Sequence, residues 1–290
     1  MSLDDPVIIT CSISGAIANR DQCPAIPYTP EEYAAEARRI VDEGGVHIHI
    51  HARSPDGAPS YEIEDFVAIT EAIRSEVGAG AIINFSTGTI GVPVAKRVAY
   101  LEAGRPEVAA LNMGSLNYAK YSKSRKQFVF NTVFVNPFDE IIELLNAMNE
   151  LGIKPEHECF DLGHIGSLTP LLDMGILSRP HVSCVMGVVG GVPPTARNLA
   201  AMADNVPDGA HWGVIGISRD QWMLVGAALS LGGSIRVGLE DNFYLPDGTM
   251  ARSNGDLIAK AREMTVNAGR RPATVDEART QLGLTARVAS

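Results

Sequence analysis

The 290-residue chain lacks most of the features that mark a secreted, membrane-bound or nucleic-acid-binding protein. Its four cysteines are scattered and form no Cys-x-x-Cys pair, so we expect reduced thiols in a cytoplasmic protein rather than a disulfide framework. No apolar run is long enough to cross a bilayer, and the acidic first residues do not resemble a signal peptide. The net charge of −10 argues against a nucleic acid as a partner. These absences leave small-molecule chemistry as the favoured class of function.

A Gly-x-Gly-x-x-Gly motif is also missing after the first predicted strand, which disfavours a doubly wound, dinucleotide-binding sheet. Apolar, β-branched runs alternate with amphipathic helical patterns, and we count eight strand–helix units. Strands are predicted over residues 6–14, 46–53, 81–87, 108–113, 157–161, 181–187, 210–217 and 234–240. The repeat predicts a (β/α)8 TIM barrel that forms a single domain over residues 1–290.

The helical segments carry their own start and stop signals. Thr29 and Glu32 form a predicted capping box at the first helix, which Gly44 would end. A later helix is predicted over residues 168–176, and a last short helix, residues 275–281, is expected to pack outside the barrel.

One connection is unusually long for a compact barrel. Residues 114–136 separate the fourth predicted strand from its helix, and this loop carries Lys120, Lys123, Arg125 and Lys126. Long loops of this kind are typical of functional lids, although a solvated insertion or a subunit contact is an equally good interpretation.

Three of the seven histidines, His47, His49 and His51, alternate along the second predicted strand. Side chains two apart in a strand point to the same face. Since active sites of TIM barrels lie at the carboxyl ends of the strands, His49 and His51 are expected at the rim. We interpret these two as metal ligands and His47 as a hydrogen-bonded interior histidine; three structural core histidines are the alternative.

The eighth predicted strand brings charged residues to the same end, because it adjoins the first strand in a closed barrel. Glu240 can then complete a set of two histidines and one carboxylate, a usual catalytic Zn²⁺ site with an open position. Asp241 at the strand tip is a candidate partner for the buried Arg236 and a candidate general base. A purely structural ion pair is the alternative for Arg236 and Asp241.

Small and polar residues follow other strands. The Ser86-Thr87-Gly88-Thr89 loop could bind a carboxylate through hydroxyl and N–H groups, although ordinary capping would look the same. The glycine-rich residues 187–194 would let a ligand approach the backbone closely, or form a flexible turn. Asp161 and His164 are favoured as structural residues over an acid–base pair.

Five motifs together resemble the β-keto acid cleavage enzymes, whose best-known activity is 3-keto-5-aminohexanoate cleavage. They read HIHAR, FSTG, LNMGSLN, VMGVVGGVPP and RVGLEDN, and the resemblance extends from Ile8 to about Leu282. It implies a Zn-dependent TIM barrel, usually a homotetramer, that condenses a β-keto acid with acetyl-CoA to give acetoacetate and a new acyl-CoA.

The resemblance also implies roles for individual residues. The family's metal ligands fall on His49, His51 and Glu240, and its carbanion-generating dyad falls on Arg236 and Asp241. Its substrate contacts fall on Ser86, Thr89, Ala110 and Asn112. Where CoA would lie stays open, and the basic residues of 120–126 and Arg219 are candidates for its phosphates on charge alone.

Two positions depart from the family members that act on the amino-bearing keto acid. Those members carry a glutamate just after the first strand, where this chain has Ile17, which cannot pair with an ammonium group. Ala110 replaces a hydroxyl-bearing residue. We therefore expect Ile17 to line the pocket for a β-keto acid with an uncharged tail.

Three other functions compete with this reading. A metal-dependent hydrolase of the amidohydrolase type also uses a His-x-His strand, but on its first strand and with a bridging Lys or carboxylate on the fourth. A zinc aldolase usually needs three histidine ligands. A non-catalytic metal-binding barrel would leave Ser86, Arg236 and Asp241 without a task.

Overall fold

The computed structural model describes residues 2–284, in which eight parallel strands form a closed barrel. The barrel strands are β1 (Ile9–Ser12), β2 (His47–Ile50), β3 (Ile82–Phe85), β4 (Val108–Asn112), β7 (Lys154–Cys159), β8 (His181–Met186), β9 (His211–Gly216) and β10 (Ser234–Val237). Arg236 of β10 pairs with Thr10 of β1, which closes the ring. The predicted TIM barrel is confirmed, and an open doubly wound sheet is excluded for the described residues.

The helices surround the barrel. They are α1 (Pro30–Asp42), α2 (Ile63–Val77), α3 (Val94–Gly104), α4 (Phe138–Leu151), α5 (Leu162–Gly166), α6 (Leu168–Asp173), α7 (Ala196–Asp204), α8 (Gln221–Ser230), α9 (Asn254–Asn267) and α10 (Val275–Leu282). Thr29 and Glu32 form the expected capping box at α1. Within the described residues, no helix combines the length and the apolar character needed to span a membrane.

Two helical regions differ from expectation or add to it. The helix predicted over residues 168–176 ends earlier, at Asp173, and a separate short helix, α5, precedes it with Asp161 as its cap. The predicted last helix is present as α10, and its Ala278 and Leu282 pack beneath the barrel floor against Ile8 and Ile82.

Residues 114–136 form a β-hairpin and not the irregular loop that was expected. Its strands are β5 (Leu116–Ser122) and β6 (Gln127–Phe134), which pair antiparallel. Aromatic and β-branched residues, which favour strands, dominate β6. One apolar cluster joins the hairpin to the carboxyl ends of the barrel strands; it contains Leu116, Phe134, Phe160, Val185 and Ile215. The hairpin therefore lies against the mouth of the barrel.

The glycine-rich residues 187–194 hold the hairpin in place. Val189 bridges to Ala119 of β5. Gly190 has φ +104°, and a Cβ at this position would lie 1.7 Å from the backbone oxygen of Asn117. The sequence predicted a close approach of a ligand to these glycines; at Gly190 the hairpin makes the close approach instead.

Candidate active site

His49, His51 and Glu240 meet at the mouth of the barrel. The Nε2 atom of His49 lies 3.7 Å from one carboxylate oxygen of Glu240, and the Nε2 atom of His51 lies 3.4 Å from the other. Glu240 follows β10 and reaches β2 across β1, because β10 and β2 are the two neighbours of β1 in the barrel. The three ligand atoms all lie within 4.8 Å of one another.

These residues fit a zinc ion. The two distances are close to the separation of about 3.4 Å expected for two ligands at about 2.1 Å from a tetrahedral ion. The Oε2 atom of Glu240 is buried without a hydrogen-bond partner. Burial and the nearby Arg236 lower the pKa of His49 well below its usual value, which keeps the imidazole neutral as ligation requires.

A second grouping of possible ligands, His49 with Glu156 and Glu158, fits less well. Both carboxylate oxygens of Glu156 already accept hydrogen bonds, one from Ser183 and one from Asn84. Glu158 accepts a hydrogen bond from Arg236. Since Glu240 offers a buried carboxylate oxygen without a hydrogen-bond partner, we favour the first grouping as the candidate metal site.

Gly15 gives Glu240 the room that this position needs. A Cβ at Gly15 would lie 2.6 Å from Cγ of Glu240, and the φ of +63° already favours glycine. Arg53, which is 2% exposed, holds the loop after β1 in place by donating to the carbonyl oxygens of Ser14, Gly15 and Ala18.

We therefore expect Gly15→Ala to displace Glu240 and to lower zinc affinity by about ten- to a hundredfold, as the loss of a residue that supports a ligand typically does. Zinc titration of the apoprotein measures the effect. Gly91→Ala is a suitable control, because Gly91 also has a positive φ (+75°) but no atom lies within 4 Å of its added Cβ. Equal zinc affinities of the two variants would contradict the supporting role of Gly15.

Arg236 lies at the centre of a carboxylate cluster. Its Nε donates to Asp241 at 2.9 Å and its Nη2 donates to the other oxygen of Asp241 at 3.0 Å. Nη2 also donates to Glu240 at 2.8 Å, and Nη1 donates to Glu158 at 3.1 Å. A bidentate pair of this kind fixes the orientation of the carboxylate plane. Ser12 donates a further hydrogen bond to Asp241.

The carboxyl group of Asp241 has a raised pKa. Burial raises its pKa to about 6 even though Arg236 opposes the shift. A carboxylate with a pKa near the working pH is well suited to act as a general base. Burial also raises the pKa of Glu158, to about 8, against the opposing effect of Arg236. The cluster thus holds carboxyl groups of different acidity around one guanidinium.

The loop after β3 and the end of β4 form a polar wall beside this cluster. The hydroxyl of Ser86 accepts a hydrogen bond from the N–H of Gly88. A Cβ on Gly88 would lie 3.0 Å from Nδ2 of Asn112 and 3.6 Å from Oγ of Ser86, so these groups converge around that glycine. Oγ1 of Thr89 is buried without a partner. Unpaired or weakly paired donors of this type suit a substrate carboxylate.

The remaining predicted residues lie in different surroundings. Ala110 is fully buried in β4, and its carbonyl oxygen accepts from Thr87. Ile17 is 60% exposed and lies two residues after Gly15, the glycine whose added Cβ would contact Glu240. Asp161 caps α5 through the N–H of His164.

His47 lies deeper in the barrel, apart from the metal ligands. Its Nδ1 contacts the hydroxyl of Thr10 at 3.1 Å, and its ring centre lies 6.0 Å from that of His181. His211 completes this floor layer, with its ring centre 4.9 Å from that of His181. Desolvation by burial lowers the pKa of His47, which keeps the floor layer neutral.

Sequence reasoning gave no role to two residues at the mouth. Glu158 lies near the end of β7, two residues after Glu156. This alternation of two glutamates is the signal that could have placed both side chains on the interior face of the strand. Tyr118 comes from the hairpin. Its ring packs on Phe134, with the ring centres 6.0 Å apart. Burial, together with the carboxylates of Glu240 and Asp241, raises its pKa to about 12.

The fold and the site together define a class: a TIM barrel whose mouth holds a His-His-Glu set beside an Arg–Asp pair. The chain belongs to the β-keto acid cleavage enzyme family, whose profile matches residues 6–284. The resemblance seen in the sequence is thereby confirmed.

Individual relatives support this membership. The chain is 35% identical over 281 residues to the 3-keto-5-aminohexanoate cleavage enzyme of Fusobacterium nucleatum, covering 97% of this chain and 98% of the relative. It is 33% identical over 306 residues to the 3,5-dioxohexanoate:acetyl-CoA acetone transferase of Paraburkholderia graminis, covering 98% and 97%. The apo structure of ObcA shares the fold, with a TM-score of 0.71 at 20% identity, over 90% of this chain and 66% of that chain.

Proposed function

We propose that this protein is a Zn-dependent enzyme that condenses a β-keto acid bearing an uncharged tail with acetyl-CoA, giving acetoacetate and a new acyl-CoA. The observation that carries the proposal is the meeting of His49, His51 and Glu240 with the Arg236–Asp241 pair in one barrel mouth. Relatives named as acetyl-CoA transferases of keto acids support it.

Each group has a task in this reaction. Zinc, when bound by His49, His51 and Glu240, would polarise the keto oxygen and stabilise negative charge on it. Asp241 removes a proton from carbon 2 of the keto acid, and Arg236 holds the base in place. Ser86, Thr89 and Asn112 bind the substrate carboxylate. The resulting carbanion attacks the carbonyl carbon of acetyl-CoA and expels the CoA thiolate. The thiolate then attacks the keto carbon that carries the tail, and the bond between carbons 2 and 3 breaks. Acetoacetate leaves after it takes back a proton from Asp241, and the tail remains as the acyl group of the new thioester.

The competing hydrolase mechanism finds less support in this mouth. It needs a bridging lysine or carboxylate at the end of the fourth barrel strand, and Asn112 occupies that position at the end of β4. The Arg236–Asp241 pair has a task in carbon–carbon chemistry that hydrolysis does not provide.

The test is a panel of β-keto acids supplied with acetyl-CoA labelled with ¹³C on both acetyl carbons. Acetoacetate labelled at carbons 3 and 4, with an unlabelled acyl-CoA, is the expected result. Uncharged tails should give a higher kcat/KM than 3-keto-5-aminohexanoate. Efficient turnover of the amino substrate over the uncharged ones would refute the tail assignment, and no labelled acetoacetate from any member would refute the reaction.

Ile17→Glu tests whether this rim residue sets the tail preference. A carboxylate at position 17 can pair with an ammonium group, so we expect the preference to move toward 3-keto-5-aminohexanoate by about tenfold. Leu3→Glu is the control, because Leu3 is comparably exposed (58% against 60%) but lies in the amino-terminal segment before β1. An unchanged preference in Ile17→Glu would remove Ile17 from the substrate pocket.

A further inference from the structure

The tip of the hairpin is strongly basic in a chain that is acidic overall. Residues 120–126 contain four cations, whereas residues 114–136 contain no Asp or Glu and the whole chain carries a net charge of −10. The four are Lys120, Lys123, Arg125 and Lys126, and all are exposed. Within residues 2–284, none of these four side chains forms an ion pair. Most arginines elsewhere in this range form an ion pair or donate a hydrogen bond to a backbone carbonyl. The hairpin tip therefore presents unneutralised positive charge.

Two aromatic side chains stand directly beside this charge. Tyr121 and Phe128 are cross-strand partners at the tip, with ring centres 5.4 Å apart in an edge-to-face arrangement. They are 44% and 52% exposed. Exposed aromatic faces next to unpaired cations are the combination that binds a purine base together with its phosphates.

The length of β5 gives an estimate of the distance between the barrel mouth and the hairpin tip. Tyr118, in the same strand β5, packs against the apolar cluster at the mouth of the barrel, and its ring centre lies 6.0 Å from that of Phe134. Lys123 follows five residues later, which corresponds to about 16 Å along a strand. The pantetheine arm of CoA has about a dozen bonds between sulfur and the first phosphate, equivalent to about 14 Å of extended chain. The two lengths match.

We propose that the hairpin tip binds the adenosine 3′,5′-bisphosphate end of acetyl-CoA, with the lysines and Arg125 on the phosphates and Tyr121 or Phe128 against the adenine. The inference rests on the proposed function, because it assumes that a CoA thioester reacts at the mouth. The pantetheine arm then runs along β5 toward Tyr118, which brings the acetyl group to the metal and base residues. Ser122 holds the turn by accepting from the N–H and the Nε of Arg125 at 3.3 Å.

The triple variant Lys120→Gln/Lys123→Gln/Lys126→Gln tests this assignment. It removes three charges but leaves Arg125 and its bonds to Ser122 in place. The control is Arg38→Gln/Arg262→Gln/Arg271→Gln, which lowers the net charge equally at exposed sites of α1, α9 and the segment after α9. Each protein is assayed with acetyl-CoA and with S-acetyl-N-acetylcysteamine, a thioester that lacks the nucleotide.

We expect the KM for acetyl-CoA to rise about tenfold or more in the hairpin variant, with kcat little changed and kcat/KM for the short thioester preserved. The control variant should retain the KM of the wild type. Equal KM values for acetyl-CoA in the two variants would overturn the proposal. An equal loss of kcat/KM with the short thioester would also overturn it, and so would a changed oligomeric mass of the hairpin variant without a changed KM. Turnover by the wild type shows separately whether the proposed function holds.

Discussion

Asp241→Asn is expected to lower kcat by about 10²- to 10⁴-fold, the range that a positioned general base contributes. The amide has nearly the shape of the carboxylate but cannot accept a proton from carbon 2 of the keto acid. Burial raises the pKa of Asp241 to about 6, so the carboxylate of the wild type is available as a base at neutral pH. The measurement is steady-state turnover of the best β-keto acid with acetyl-CoA, and KM should change far less than kcat.

The control for this variant is Asp161→Asn. Asp161 also follows a barrel strand at the mouth, but its carboxylate caps α5, and asparagine is an equally good cap. We expect this variant to keep wild-type turnover. If Asp241→Asn retained full kcat and only melted at a lower temperature, the Arg236–Asp241 pair would be structural and another residue would have to serve as the base.

The barrel itself was predictable because its strands are buried on both faces. Segments such as 181–187 and 210–217 are almost continuously apolar, which is typical of parallel strands covered by helices. The start of β7 was missed, because Pro155 interrupts the pattern at its second residue and hides Glu156. The hairpin was missed because its lysines and serines are typical of a loop, whereas its strands are stabilised by packing on the mouth.

The site was predictable where it depends on alternation and on strand adjacency. His49 and His51 share a face by period two, and Glu240 reaches them because β10 and β2 both adjoin β1. The contact between Asp241 and Arg236 does not follow from alternation or from strand adjacency. The strand ends at Val237, earlier than expected, and a turn then brings the N–H of Asp241 onto the carbonyl of Gly238. That turn places Asp241 against Arg236, and no periodic pattern encodes it.

The mouth therefore combines groups with distinct origins. His49 lies in β2, whereas His51 and Glu240 follow the ends of β2 and β10. Asp241 lies in a turn, and a hairpin inserted between β4 and α4 covers the mouth. Loops and insertions of a barrel vary more easily than its strands. On the proposed function, the reaction should depend on the residues in and just after β2 and β10. The choice of substrate tail should depend on Ile17, and the binding of CoA on the hairpin.

Glu240→Gln is expected to lower zinc affinity by more than about a hundredfold, because loss of a residue that only supports a ligand already costs ten- to a hundredfold. The amide keeps one oxygen but loses the charge that the ion needs. Glu156→Gln is the informative comparison, since Glu156 belongs to the competing set with His49 and Glu158. Zinc content after dialysis, measured by plasma mass spectrometry, should fall in the first variant and persist in the second. The opposite pattern, in proteins with wild-type circular dichroism, would assign the metal to the set of His49, Glu156 and Glu158.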